Sequence, residues 1–154
     1  MSLGDFRVVD PGDGSVPVAR KYQTKANNTA IQPGEFVVQG TGGDVEYVVA
    51  ASDGAADSAV WVGVAASADS VTASADGVVW VYDNPDYLFR GKPTTAGNLA
   101  SSIILTQVTL DVSDSVQTVD EDDVTNGTLL VQAYDSVAGT IDVKMAKSDH
   151  IGAG

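Results

Sequence analysis

Apolar residues in this chain come in short valine-rich runs, and turn-forming residues close each run before a helix could complete three turns. Val and Thr are stiff at χ1 and suit a pleated surface. The chain has 24 valines and 16 glycines. No window of helical length shows a convincing 3.6-residue period. Short strands broken this often predict an all-β protein, a sandwich or a small barrel.

The runs set the expected strands. Gln32-Pro33-Gly34 is a turn before Glu35–Gln39. Gly40–Asp44 is a second turn before Val45–Ala51, which predicts a hairpin. Asp53–Ser58 reads as a polar loop, and Ala59–Ala66 as a strand buried on both faces. In Val78–Asp83, Val79, Val81 and Asp83 share one face, and Val78, Trp80 and Tyr82 the other. Asn84-Pro85-Asp86 marks a boundary before the strand Tyr87–Lys92. Ile103–Val112 and Thr140–Lys147 alternate, and a short strand is expected at Val116–Val119. Asn126-Gly127 is a tight-turn dipeptide ahead of Thr128–Tyr134.

The expected organisation is an extended N-terminal arm over 1–23, a β-barrel-like lobe over 24–83, and a second β lobe over 84–154 with a short C-terminal tail. Asp10-Pro11-Gly12-Asp13-Gly14 is a loop by composition, and Pro17 limits strand pairing nearby. The arm therefore has little to bury and should order only against a neighbour.

Charge narrows function. Eight cations stand against 21 acids, a formal net charge of −13. That argues against nucleic acid as a partner, because too few cations are present to displace phosphate counterions. No apolar run approaches the length of a membrane span, and Met1–Asp5 does not read as a secretory leader. The cations fall in three groups: Arg7, Arg20, Lys21 and Lys25 near the start, Arg90 and Lys92 in the middle, and Lys144 and Lys147 in the last strand. Solvated strand ends account for these groups as well as contact with an acidic partner does.

Chemistry finds no footing. Without cysteine there is no disulfide, thiol nucleophile or Cys-ligated metal. The one histidine, His150, reads as inert. Asp120-Glu121-Asp122-Asp123 fails the EF-hand pattern at position six, which is Thr125, and reads as a solvated loop. Gly40-Thr41-Gly42-Gly43 lacks the helix and lysine of a phosphate cradle. No enzyme activity, cofactor or metal is expected. Trp61 reads as core, and Trp80 and Tyr82 as the aromatic pair nearer solvent.

Four stretches carry a resemblance: Ile31–Val38, Trp61–Ala65, Ala75–Arg90 and Gly139–Ala146. They resemble the capsid decoration (cement) proteins of tailed bacteriophages over roughly residues 30–147. Asp83-Asn84-Pro85-Asp86-Tyr87-Leu88-Phe89 is similar to a virion-protein segment of that group, although Arg90-Gly91 replaces the glutamate-glutamine that follows the phenylalanine there. The resemblance implies a virion structural protein on the outer capsid surface that clamps neighbouring capsomers. Its partners would be the major capsid protein and further copies of itself, a homotrimer ahead of a dimer. The interface residues expected on this view are Phe6, Arg7, Val8, Val9, Arg20, Lys21, Lys25, Arg90 and Lys92. The competing expectation is a β-sandwich carbohydrate-binding or adhesion module, with Trp80 and Tyr82 as the sugar platform.

Overall fold

The computed structural model describes residues 6–52, 59–125, 127–146 and 150–151. The leader reading of Met1–Asp5, the loop over 53–58, Asn126 and Lys147 lie outside the described residues. Within them the chain is all-β. The strands are β1 (Arg7–Asp10), β2 (Arg20–Thr24), β3 (Phe36–Gln39), β4 (Val48–Ala50), β5 (Trp61–Ala65), β6 (Gly77–Tyr82), β7 (Leu88–Gly91), β8 (Gln107–Ser113), β9 (Val116–Asp120), β10 (Leu129–Asp135) and β11 (Thr140–Met145).

They form two antiparallel sheets. One has the order β1-β7-β11-β10-β8-β9 and the other β2-β6-β5-β3-β4. Strands on either side of Asn84-Pro85 thus sort into different sheets, with β1 the exception. Neither sheet closes into a barrel. In the six-stranded sheet the chain after β7 returns only as a single bridge, Pro93 to Val119, with Thr94 N–H donating to Val119 O at 2.8 Å and Val119 N–H to Lys92 O at 2.9 Å. That return covers the outer side of β9.

The sheets share one core. Phe36, Val38, Trp61 and Val64 of the five-stranded sheet pack with Phe89, Val108, Leu110, Leu129, Ile141 and Val143 of the other. Phe36 sits at its centre, its ring 4.5 Å from that of Phe6, 5.5 Å from Trp61 and 5.7 Å from Phe89, all edge-on. A smaller cluster, including Ile31, Val37, Val62, Val79 and Val81, covers the far face of the five-stranded sheet. That sheet is therefore buried on both faces at β5, as its uninterrupted apolar run anticipates.

The expectation that the arm buries little and orders only against a neighbour is corrected. The N-terminal segment is extended, but it is paired. β1 runs antiparallel to β7, Val8 opposite Phe89, and β2 runs antiparallel to β6 from Arg20–Val81 to Thr24–Gly77. Phe6 is buried in the shared core, and its backbone N–H donates to Gly34 O at 2.8 Å. A lone phenylalanine carries no period, which is why the sequence conceals this. Its place is made by Gly91, where a Cβ would fall 2.3 Å from the Phe6 ring.

Other strands shift. Val45–Ala51 shortens to β4, because a 3-10 turn at Gly42–Asp44 and a bend after it take up the first residues. Ile103–Val112 splits into a 3-10 turn at Ser101–Ile103 and β8, with Leu105 at φ 65° between them. The β8–β9 hairpin closes on Asp114 and Ser115, both with positive φ (52° and 64°), the geometry of a type I′ turn. A side chain in that region is strained by about 1–2 kcal/mol. Ser115→Gly creates Asp-Gly at this turn and should raise stability by about 1 kcal/mol, read as a rise of about 2–4 °C in thermal midpoint. A lower midpoint would show that the serine contributes more than its backbone costs.

Candidate functional site

The N-terminal segment supplies the outermost strand of both sheets on one side of the molecule. β1 lies along β7 and β2 along β6, so the linker over 11–19 follows the link over 83–87. Val18 N–H donates to Tyr87 Oη at 2.9 Å, fastening the two links together. The linker is shaped by its aspartates: Asp10 accepts from Gly12 N–H at 2.8 Å and Asp13 from Ser15 N–H at 2.9 Å. Hydrogen bonds from the Ser15 hydroxyl and amide hold the Asp13 carboxyl below its ordinary value.

The expected interface residues scatter in role. Phe6 is core and presents no contact surface, while Val8 packs half-buried against the core. Val9 sits at a bulge in β1 and is exposed, and Arg7 is exposed beside it. Arg7 lies directly opposite Arg90. Like charges at such positions repel across a strand pair, and one carboxylate answers them. Arg90 Nε and Nη2 donate to Asp142 Oδ1 and Oδ2 at 2.8 and 3.0 Å, which raises the Arg90 pKa further. Asp142 is buried beneath that guanidinium, not solvated as the alternation of β11 suggests. Lys144, two positions along β11, adds a third cation to this outer face.

On β2, Arg20 Nε lies 3.7 Å from Asp83, which also accepts from Tyr22 Oη at 2.6 Å. Burial first, and then that hydrogen bond, push the Tyr22 pKa up. Lys21 is exposed and forms no ion pair among the described residues. It is the register partner of Trp80, so both side chains leave the same face. Trp80 is 47 % exposed, while Tyr82 is half-buried and stacks edge-on to Tyr87. Lys25 is spent on Asp44 at 2.6 Å, which raises its pKa, and Lys92 Nζ reaches Ala138 O at 3.4 Å. The structure therefore sets Arg7 opposite Arg90, puts Arg20 and Lys21 on opposite faces of β2, and leaves Lys25 and Lys92 apart.

Polar residues that the sequence reading left aside hold this frame together. Gln117 of β9 is buried between the sheets. Its Oε1 accepts from Phe36 N–H at 2.6 Å, and its Nε2 donates to Phe36 O and Ala51 O, both at 3.1 Å. Gln117→Leu leaves the Phe36 N–H buried without an acceptor and should cost about 1–3 kcal/mol in urea denaturation. An unchanged midpoint would mean that the backbone finds another partner.

Glu121 is buried too, accepting from Thr94 N–H and Thr95 N–H at 3.0 Å and from Asn98 Nδ2 at 3.2 Å. Asp122 and Asp123 accept from Asn98 and from Thr109 and Thr125. The acidic run is thus a loop cap in part, and not wholly solvated. Among the described residues no three acids or histidines are grouped to hold a metal ion. His150 is buried, its Nε2 3.1 Å from Val62 O, and Ile151 N–H donates to Trp61 O at 2.8 Å. The histidine expected to be inert docks the C-terminal residues onto β5.

What the N-terminal side offers is exposed cations and one exposed indole. Among the described residues no helix is long and apolar enough to cross a membrane. Comparison with protein-family models, curated proteins and solved structures finds no match.

Proposed function

We propose that this chain is a virion structural protein that binds the outer surface of a tailed-phage capsid and stabilises contacts between capsomers. The observation that carries the reading is the pair of N-terminal strands, β1 and β2, each the last in its sheet's hydrogen-bonded order, which carry the exposed cations Arg7, Arg20 and Lys21 on a chain with a net charge of −13. The resemblance over roughly residues 30–147 points the same way. The partners are the major capsid protein and further copies of the chain. No chemistry is required of such a protein, only a rigid body with a surface matched to a lattice.

The grip differs from that of an arm ordering on its neighbour. Phe6 is committed to the core, so contact falls to the edges and their cations. An exposed ion pair contributes only up to about 1 kcal/mol and is weakened by salt. Repetition over a lattice compensates when copies are linked. Co-sedimentation with expanded and unexpanded shells of the phage that encodes the chain tests the reading. Saturable binding, reduced by salt and by Arg20→Glu with Lys21→Glu, is expected. Absence of binding to shells in either state would sink it.

The exposure of Trp80 beside Lys21 favours a second reading, a carbohydrate-binding or adhesion module. A glycan array separates the two. A sugar-specific signal that Trp80→Ala abolishes would support the second reading over the first.

A further inference from the structure

The N-terminal segment docks along one continuous stretch of its own chain. β1 lies on β7 and β2 on β6, both antiparallel, so residues 6–26 run back along residues 76–91. Val18 N–H donates to Tyr87 Oη at 2.9 Å, Tyr22 Oη to Asp83 at 2.6 Å and Ala26 N–H to Asp76 at 2.8 Å. Phe6 adds a ring that fills the space over Gly91. β2 also meets β4 as the five-stranded sheet curls, so the segment closes that side of the sheet.

A single turn joins the segment to the body. Ile31 beyond it is buried, whereas Asn27, Asn28 and Thr29 are exposed. Asn28 N–H donates to Lys25 O at 3.2 Å, and Asn27 is held at φ 70°. That is the left-handed region, which glycine enters freely and asparagine at a cost. Short hinges under strain favour exchange of the element that they carry. We propose that residues 6–26 exchange between two copies of this chain, each segment completing both sheets of the other, with residues 27–30 as the hinge. Exchange keeps the contacts above, so it needs neither an unpaired edge nor an occupant of opposite charge. A second copy presents the same stretch 76–91, the same space over Gly91 and the same aspartates, which commits the occupant. Two copies of net charge −13 repel, and salt screens that repulsion. The inference goes beyond capsid binding and does not depend on it, since it concerns the chain alone.

The absence of cysteine gives a direct test. Lys21 and Trp80 are register partners, so their Cα atoms lie about 4.5–5.5 Å apart, within reach of a disulfide. Chains with Lys21→Cys and chains with Trp80→Cys are unfolded in urea, mixed, refolded together and oxidised. A disulfide between the two variants is expected at least about tenfold more often than between two chains of either one, because exchange brings these positions together in register. Light scattering of the cysteine-free chain should show a dimer that grows with salt. Asn27→Val, which strains the turn further, should raise the dimerisation constant about fivefold, and Asn27→Gly, which relaxes it, should lower it. Mixed disulfides no more frequent than those within either variant would overturn the proposal. So would a chain that stays monomeric even as Asn27→Val, a dimer indifferent to both Asn27 variants, or a dimer that salt dissolves. Exchange without shell binding would remove the capsid reading alone, and shell binding by a strictly monomeric chain would remove exchange alone.

Discussion

Phe36→Ala is expected to leave little folded protein at ambient temperature. The ring is fully buried and meets those of Phe6, Trp61 and Phe89, which come from three different strands or their flanks. Removing a buried aromatic side chain costs about 3–5 kcal/mol, because the cavity adds to the lost transfer energy. Edge-on ring pairs contribute about 0.5–1.5 kcal/mol each beyond area. Ordinary domains hold only about 5–15 kcal/mol in total. Urea titration followed by tryptophan emission reads the loss, since Trp61 borders the cavity. A midpoint close to that of the parent would mean that the neighbouring rings collapse into the space.

Phe6→Ala should come next in size, and it separates packing from contact in one segment. Phe6 is buried against Phe36 and over Gly91, whereas Arg7, one residue on, is exposed. Phe6→Ala should cost about 3–5 kcal/mol. Arg7→Ala should fall within about 0.5 kcal/mol of the parent or stabilise slightly, because it removes a charge facing Arg90. Deletion through Asp10 should resemble Phe6→Ala, since it removes the same ring together with a strand that has one neighbour. If Phe6→Ala melts with the parent, the segment is a loose arm after all.

The contrast shows what was legible in the residues. β5 and β6 could be read from composition and alternation, because Val and Trp at fixed spacing report burial directly. The exposure of Trp80 and the burial of Trp61 follow from that spacing. Gln117, Glu121, Asp142 and His150 could not be read. Each is polar, and each is buried because a specific partner waits for it: the Phe36 amide, the Thr94 and Thr95 amides, the Arg90 guanidinium, and the Val62 carbonyl. Such partners come from distant parts of the chain, and no local pattern announces them. The expected interface suffered from the same limit. Arg7, Arg20 and Lys21 are exposed, but Phe6 was offered as a contact when its ring is already packed in the core.

The pairing of β1 with β7 and of β2 with β6 also sets an order of events during synthesis. β1 and β2 leave the ribosome before β6 and β7, the strands that they pair with, have been made. Hairpins β3–β4, β8–β9 and β10–β11 join neighbours in sequence and close early. Contacts across most of the chain form late, because the entropy of a long closure must be met before the contact rewards it. The nascent N-terminal segment therefore waits as an unpaired basic ribbon, and its docking completes both sheets in one step. A substitution at Phe6 should then speed unfolding far more than it slows folding.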